Sequence, residues 1–177
     1  KALIKFGSFR AGGTANTARG QNFGSGTSTA AIQAGGLSPG TTHNSSEEYN
    51  GFTWTEGNNL NTARRVAAAN GPQTAAFAAG GFTPPNTNAA ESYNGTSWSN
   101  MPNIGTSRRV AAGAGTSTAA FAFGGTNPST MILVTENYDG TSWTTSDSLG
   151  AGRYSTAGST AGTQTASLMF GGLTKPG

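Results

Sequence analysis

The sequence contains no cysteine and only one histidine among its 177 residues. Without cysteine, the chain can form no disulfide and carry out no thiol chemistry. Zinc and copper sites need several cysteine or histidine ligands, and the sequence does not supply them. We therefore expect no metal site and no cofactor, and a protein of the cytosol or of a virus particle rather than a small secreted one.

Large apolar residues are scarce as well. Leu, Ile, Val and Phe together account for 23 of the 177 residues, a proportion that is typical of disordered chains. Disorder also requires a high net charge, whereas the formal net charge here is only +3. Ala, Gly, Thr and Ser must fill the ordered elements, and the aromatic side chains must supply much of the core. No run of about 20 apolar residues occurs, so we expect no membrane span.

Candidate catalytic residues are few. The only histidine, His43, lies in the polar segment TTHNSS, and nothing in the sequence singles out a serine that it could activate. Paired carboxylates could act as acid and base, but Glu47, Glu91 and Glu136 occupy equivalent positions along the chain, which favours a structural role. We therefore predict that the protein is not an enzyme, and we assign no catalytic residue.

The excess of basic residues gives a pI of about 9.6 but does not indicate a nucleic-acid partner. Only ten lysines and arginines are present, and the Arg-Arg pairs at 64–65 and 108–109 recur at a regular interval. A nucleic-acid groove would need a basic stretch with interleaved aromatic residues, which is absent from the sequence. We expect no nucleic acid among the partners.

What the sequence has in abundance is an internal repeat. Four of the Gly-Gly pairs in the sequence lie 44 to 47 residues apart, and each of the four follows a short segment of small and apolar residues that is typical of a β-strand. A glycine pair at the end of a strand indicates positive φ or a close approach to a neighbour, rather than a phosphate cradle, which needs a following helix. The pairs are Gly35-Gly36, Gly80-Gly81, Gly124-Gly125 and Gly171-Gly172.

A second signature follows the first three pairs and reads EEYNGFTW, ESYNGTSW and ENYDGTSW. Asn-Gly and Asp-Gly between such residues predict a β-hairpin, with the tyrosine and the tryptophan on paired strands. An arginine then opens a further strand, at Arg65, Arg109 and Arg153, and Arg19 occupies the matching place before the first pair. Each repeat thus contains four predicted strands. The aromatic positions are Tyr49 and Trp54, Tyr93 and Trp98, and Tyr138 and Trp143.

This order of an apolar strand, Gly-Gly, Tyr, Trp and Arg resembles kelch repeats. In composition and motif order, the repeats are most similar to the Ala-, Gly- and Thr-rich repeats in virion proteins of tailed, especially marine, bacteriophages. The resemblance implies an all-β fold: a kelch-like β-propeller, or part of one, with four-stranded antiparallel blades. We expect one kelch-like repeat domain over 1–177. It comprises a divergent segment 1–18, repeats at about 19–64, 65–108 and 109–152, and a partial repeat 153–177.

The two ends of the chain do not complete a fourth matching hairpin. Residues 1–13 do not carry the Tyr and Trp signature, and only five residues follow the last glycine pair. One interpretation is that the N-terminal segment supplies a divergent strand that closes a ring of four blades. The other, which we favour, is that the chain belongs to a longer protein with more blades.

The resemblance implies a non-enzymatic structural or adhesive protein of a phage particle, such as a tail fibre, another tail appendage or a capsid-surface component. Such a protein is made in the host cytoplasm and resides in the virion. Its partners would be other virion proteins, copies of itself, or a receptor or glycan on the host surface. The alternatives are a soluble kelch-type scaffold for protein interactions and a carbohydrate-binding module.

The repeat also predicts which side chains pack inside. We expect Trp54, Trp98 and Trp143 to be largely buried, together with Phe77, Phe121 and Phe123. We hypothesise that Glu91 and Arg109, and their counterparts, form ion pairs or hydrogen bonds within or between blades. The alternative is that both are solvated surface groups that contribute little to stability.

One segment departs from the repeat. Met131, Ile132, Leu133 and Val134 replace polar or small residues of the first two repeats. Successive side chains of a strand point to opposite faces, so one buried face cannot cover all four. They could pack under a terminal segment, but because exposed apolar patches mark interaction sites, we predict that they bury against a partner subunit.

Overall fold

The computed structural model describes residues 12–128, 130–159, 163 and 166–174. Every regular element of these residues is a β-strand. The strands, in chain order, are β1 (Phe23–Gly26), β2 (Ala31–Ala34), β3 (Leu37–Ser38), β4 (Thr41–Thr42), β5 (Ser46–Tyr49), β6 (Trp54–Gly57), β7 (Ala68–Asn70), β8 (Ala76–Ala79), β9 (Ala90–Tyr93), β10 (Trp98–Met101), β11 (Ala112–Thr116), β12 (Ala119–Phe123), β13 (Val134–Tyr138), β14 (Trp143–Ser148), β15 (Tyr154–Gly158) and β16 (Met169–Leu173). The described part of the chain contains no helix that could cross a membrane.

The strands form three four-stranded antiparallel sheets and two small ones. Sheet I has the order β1-β2-β5-β6, sheet II β7-β8-β9-β10 and sheet III β11-β12-β13-β14. Sheet IV consists of β15 and β16, and β3 and β4 make a short hairpin between β2 and β5. The predictions of an all-β fold and of four-stranded antiparallel sheets are confirmed.

Small residues allow the second strand of each sheet to pack closely on both faces. In sheet II this strand reads AFAA, and all four residues are buried. It pairs with β7 on one edge and with β9 on the other, so its backbone polar groups are used in the ladder. Few large aliphatic side chains are needed, because Phe77, Tyr93 and Phe123 fill the space between neighbouring sheets.

The first strands of successive sheets lie side by side, with β7 between β1 and β11, and β11 between β7 and β15. Residues of all four first strands line a single cavity of about 240 Å³. The side-chain amide of Asn70 spans this region, since its nitrogen donates at 3.0 Å to the carbonyl oxygens of both Gly113 and Ser159. The four sheets are therefore arranged with their first strands facing a shared interior.

Backbone hydrogen bonds join each of sheets I to III to the next sheet through the second glycine of the first three pairs. The Gly36 N–H donates to the Arg64 carbonyl oxygen at 2.9 Å, and Gly81 donates to Arg108 at 2.7 Å. Both glycines of all four pairs have positive φ, between 63° and 106°, as the sequence predicts. These N–H groups already bond to carbonyl oxygens of the protein and are not free to hold a phosphate. The glycines therefore have a role in backbone conformation.

The prediction of buried aromatic residues is only partly correct. Trp98, Phe77 and Phe123 are buried, whereas Trp54, Trp143 and Phe121 are half-buried. Trp54 and Trp143 each start the outermost strand of a sheet. Trp98 likewise starts the outermost strand of sheet II, but it packs in a cluster with Phe23 and Ile32 of sheet I, which explains its deeper burial.

Candidate functional site

The recurring glutamate lies at the centre of a buried polar network in each of sheets I to III. In sheet II, Glu91 accepts hydrogen bonds from the backbone N–H groups of Asn61 and Thr62 at 2.7 and 3.2 Å. It also pairs with the Arg64 guanidinium, and neither side chain is exposed. Arg64 Nη1 donates to the carbonyl oxygens of Gly80 and Ala89, and Nε donates to that of Thr62. This buried ion pair is therefore extensively hydrogen-bonded, as its burial requires.

The same network repeats in the neighbouring sheets. In sheet I, Arg19 pairs with Glu47, and in sheet III, Arg108 pairs with Glu136. In each case the glutamate also accepts two backbone N–H groups from the segment just before the arginine. Each pair thus fastens the start of a sheet to its third strand.

The hypothesis that the repeated glutamates form ion pairs is confirmed, but the predicted arginine is wrong by one residue. Glu91 pairs with Arg64, and the partner of Arg108 is Glu136. Arg109 instead lies over the Phe82 ring. Successive side chains of an extended segment point in opposite directions, so adjacent arginines enter different environments.

Burial and hydrogen bonding have opposite effects on the pKa values of these groups. Burial raises the pKa of Glu47, but the N–H groups of Asn16 and Thr17 and the Arg19 guanidinium outweigh this effect and leave the pKa below 4.5. Burial also lowers the pKa of Arg64, which the Glu91 carboxylate partly offsets. The carboxylate of Glu47 therefore stays ionised in its buried position.

The Tyr and Trp of each repeat lie directly opposite each other on paired strands, as predicted. Their ring centroids are 5.0, 5.1 and 5.2 Å apart in sheets I, II and III. The hydroxyl of Tyr93 donates to Glu48 of sheet I, and burial together with this carboxylate raises the pKa of Tyr93. The tryptophans thus form cross-strand aromatic pairs within the sheets.

A side-chain oxygen closes the turn between each Tyr and Trp. In sheet III, Asp139 Oδ1 accepts the N–H groups of Thr141 and Ser142, both at 2.8 Å. These bonds lower the pKa of Asp139. The corresponding residues of sheets I and II, Asn50 and Asn94, accept the same two N–H groups. The Asn-Gly and Asp-Gly motifs therefore fix the hairpins.

The apolar segment 131–134 is divided between the core and the surface. Ile132 is buried, Met131 and Val134 are half-buried, and Leu133 is 43% exposed. The backbone N–H of Ile132 donates to Gly125, the same bond that His43 makes to Gly36 in sheet I. Much of this segment is covered by its own chain. Its burial against a partner subunit stays a prediction, and Leu133 is the side chain best placed for it.

A second cavity, of about 410 Å³, lies at the start of the first strands. The guanidinium carbons of Arg65 and Arg109 lie 4.8 and 4.9 Å from the centre of the Phe82 ring, within cation–π distance. The residues that line this cavity carry no carboxylate: they are Gln21, Arg65, Val66, Phe82, Arg109, Val110 and Ser155. We call this cavity and its lining the axial site; its chemistry suits a ligand with negative charge.

A chain of backbone hydrogen bonds frames the axial site. Val66 donates to Gln21 at 2.9 Å, Val110 to Val66 at 2.8 Å and Ser155 to Val110 at 3.0 Å. All four residues have φ between 50° and 56°, which is unfavourable for a β-branched side chain such as valine. Sequence analysis missed these positions because valine does not predict positive φ. Only their spacing of 44 or 45 residues relates them to the repeat.

The structure also brings the only histidine close to a serine. Ser38 Oγ lies 2.6 Å from His43 Nε2 at the β3–β4 hairpin. A hydrolytic triad needs a carboxylate on the other ring nitrogen, and no described residue makes that bond. Nor do the described residues include a group of three His, Asp or Glu side chains that could hold a metal ion. Comparison with known proteins found no family model and no curated protein that matches the chain.

Proposed function

We propose that this chain forms part of a kelch-like β-propeller and acts as a non-enzymatic structural or adhesive component of a tailed-bacteriophage particle. The particle part would be a tail fibre, another tail appendage or a capsid-surface component. The resemblance of its repeats to those of phage virion proteins supports the assignment. Further support comes from the side-by-side sheets, whose first strands line a shared interior as propeller blades do.

The observation that carries this proposal is the repetition of one buried arginine–glutamate network in sheets I to III. Each network fixes the start of its sheet to the third strand through an arginine and a glutamate whose side chains are buried. Such a frame holds its shape while the connecting loops vary, which suits a protein that works through surface contacts.

The axial site is the surface to which we assign recognition. Arg65 and Arg109 present two cations beside Phe82, and no carboxylate lines the same cavity. Arginine binds carboxylate, sulfate and phosphate groups through parallel hydrogen bonds. An acidic sugar or an acidic segment of another particle protein matches this chemistry. The repeated tryptophans pack against tyrosines instead, which disfavours a carbohydrate module built on stacking.

Particle association can be tested with antibodies against the chain. Virions from cells that carry the gene are separated on a density gradient, and the fractions are probed for the chain. Co-sedimentation with intact virions supports the proposal, whereas recovery only in the soluble lysate would favour the alternative of a kelch-type interaction scaffold.

Recognition is tested separately with purified protein and host cells. We expect Arg65→Ala with Arg109→Ala to reduce cell binding at least tenfold, since both cations of the axial site are lost. Ser99→Asp with Thr144→Asp lowers the net charge by the same amount at exposed positions of β10 and β14, outside the axial site, and serves as the control. Equal losses in the two variants would show that net charge, rather than the axial site, drives attachment.

A further inference from the structure

Asparagine is followed directly by glycine at three places in the sequence: Asn50-Gly51, Asn70-Gly71 and Asn94-Gly95. In this dipeptide the glycine nitrogen can attack the side-chain amide carbon of the asparagine, because glycine has no Cβ to hinder the approach. The two groups belong to adjacent residues, so the attack is intramolecular and closes a cyclic imide. The same chemistry is open to all three dipeptides, but the fold places them in different environments.

Asn94 lies at the exposed tip of the hairpin between β9 and β10. Its Oδ1 accepts the backbone N–H groups of Thr96 and Ser97, both at 2.9 Å. Two N–H donors on a carbonyl oxygen stabilise the negative charge that this oxygen acquires when a nucleophile adds to the carbon, as in an oxyanion hole. The amide nitrogen of Asn94 donates to no described residue. The turn therefore activates the Asn94 amide and leaves its departing nitrogen unrestrained by the described residues.

Asn50 occupies the equivalent exposed turn of sheet I. Its Oδ1 accepts the N–H groups of Phe52 and Thr53 at 3.0 and 2.9 Å. Its amide nitrogen, however, donates to Thr53 Oγ1 at 3.2 Å. The Asn50 amide is thus activated in the same way as that of Asn94, but a hydrogen bond retains the nitrogen that must leave.

Asn70, the last residue of β7, has the opposite environment. It is only 4% exposed, and its amide nitrogen donates at 3.0 Å to the carbonyl oxygens of both Gly113 and Ser159. Its Oδ1 accepts the Gly71 N–H at 2.6 Å, so the attacking nitrogen is itself held in a hydrogen bond. Loss of the Gly71 proton would create a charge in the interior, where charge is disfavoured. The fold therefore protects this dipeptide.

We propose that Asn94 is a site of spontaneous deamidation, that Asn50 is a slower one, and that Asn70 is protected. The Gly95 nitrogen gives its proton to hydroxide and bonds to Asn94 Cγ. The bond from Cγ to the amide nitrogen then breaks, and this nitrogen takes a proton from water and leaves as ammonia. Water opens the cyclic imide at either carbonyl and yields aspartate or isoaspartate. Each conversion consumes one water and releases one ammonia.

The two products have different consequences for the hairpin. Asp139 fills the same turn position in sheet III and accepts the same two N–H groups, so aspartate at this position keeps the turn and adds a negative charge to its tip. Isoaspartate instead inserts a carbon into the backbone between Tyr93 and Trp98, which lie opposite each other on paired strands. This inference concerns the turn alone and does not depend on the assignment to a phage particle.

The test follows the full chain, folded, in a mildly alkaline buffer prepared with heavy-oxygen water. Samples are digested at intervals, and each peptide that contains Asn50, Asn70 or Asn94 is analysed by mass spectrometry. A converted residue carries one heavy oxygen atom, and electron-transfer fragmentation distinguishes isoaspartate from aspartate. We expect Asn94 to convert at least about tenfold faster than Asn70, with Asn50 between them.

Two controls assign this order to the fold. The same chain unfolded in guanidinium chloride should convert all three residues at similar rates, because each is followed by glycine. Asn94→Gln, whose longer side chain closes the ring less readily, should abolish the label in its peptide, and a thermal melt shows whether this variant is folded. Equal rates at Asn94 and Asn70 in the folded chain would overturn the proposal. So would an unreacted Asn94 in the folded chain under conditions in which the unfolded chain converts.

Discussion

The Arg64 guanidinium lies 2.6 Å from the Glu91 carboxylate, and neither side chain is exposed to solvent. Removing one member of a buried pair leaves the other charge unpaired in the interior, which typically costs about 3–5 kcal/mol. We therefore predict that Arg64→Ala lowers the free energy of unfolding by about this amount. Denaturant unfolding followed by tryptophan fluorescence provides the measurement.

The adjacent Arg65 is the matched control for this prediction. It is half-buried and lies over Phe82 rather than against a carboxylate. Arg65→Ala should therefore cost less than about 1 kcal/mol. Equal losses of unfolding free energy in the two variants would show that the buried ion pair contributes no more to stability than the Arg65 contact.

Acid should weaken sheet I through Glu47. The folded-state pKa of Glu47 lies below its ordinary value of 4.5. Its contribution to stability is therefore complete above about pH 4.5 and is lost as the pH falls through the folded-state pKa. We predict that the free energy of unfolding decreases below pH 4.5, and that Glu47→Gln makes this decrease shallower. Denaturant titrations at several pH values between 3 and 7 measure the difference.

Asp139 serves as a comparison in the same titration, where its substitution should have a smaller effect on the acid dependence. Its pKa is lowered by the N–H groups of Ser142 and Thr141, and its side chain is exposed. Asn50 and Asn94 fill this turn position in the other sheets. Asp139→Asn should therefore keep the turn at neutral pH and remove only a small part of the acid dependence. A slope unchanged by Glu47→Gln would contradict the assignment to Glu47.

The sequence predicts the repeat, the strands and the Tyr–Trp pairs because each depends on spacing that recurs along the chain. It does not predict which of two adjacent side chains points inward. Arg64 enters the core and Arg65 does not, and Ile132 is buried beside the exposed Leu133. A shift of one residue reverses the face of an extended chain, so that choice depends on neighbouring sheets. The axial site is likewise formed by residues from all four repeats.

Two equivalent glycines separate backbone strain from crowding. Gly80 and Gly171 have φ of 67° and 72°. A Cβ on Gly80 would lie 2.6 Å from the Arg108 carbonyl oxygen, whereas one on Gly171 would meet no described atom within 4 Å. We predict that Gly171→Ala costs only the backbone strain, about 1–2 kcal/mol, and that Gly80→Ala costs clearly more. Equal losses in thermal or chemical unfolding would mean that the space around Gly80 adjusts.

Equivalent tryptophans should differ in their contribution to stability. Trp98 is 6% exposed and packs in the cluster between sheets I and II, whereas Trp54 is half-buried. We predict that Trp98→Ala lowers the free energy of unfolding by about 3–5 kcal/mol, and that Trp54→Ala lowers it less. A loss below about 1 kcal/mol for Trp98→Ala would show that this side chain is not part of the core.

Adjacent apolar residues of segment 131–134 distinguish folding from assembly. Leu133 is 43% exposed, whereas Ile132 is 5% exposed. Leu133→Ser should leave the free energy of unfolding within about 0.5 kcal/mol of the unchanged chain, and Ile132→Ser should lower it by roughly 2–5 kcal/mol. If the segment contacts a partner subunit, Leu133→Ser should also reduce assembly, measured by sedimentation velocity and by co-purification with particles. Unchanged assembly of a folded Leu133→Ser protein would show that the segment serves its own sheet and that the predicted contact is wrong.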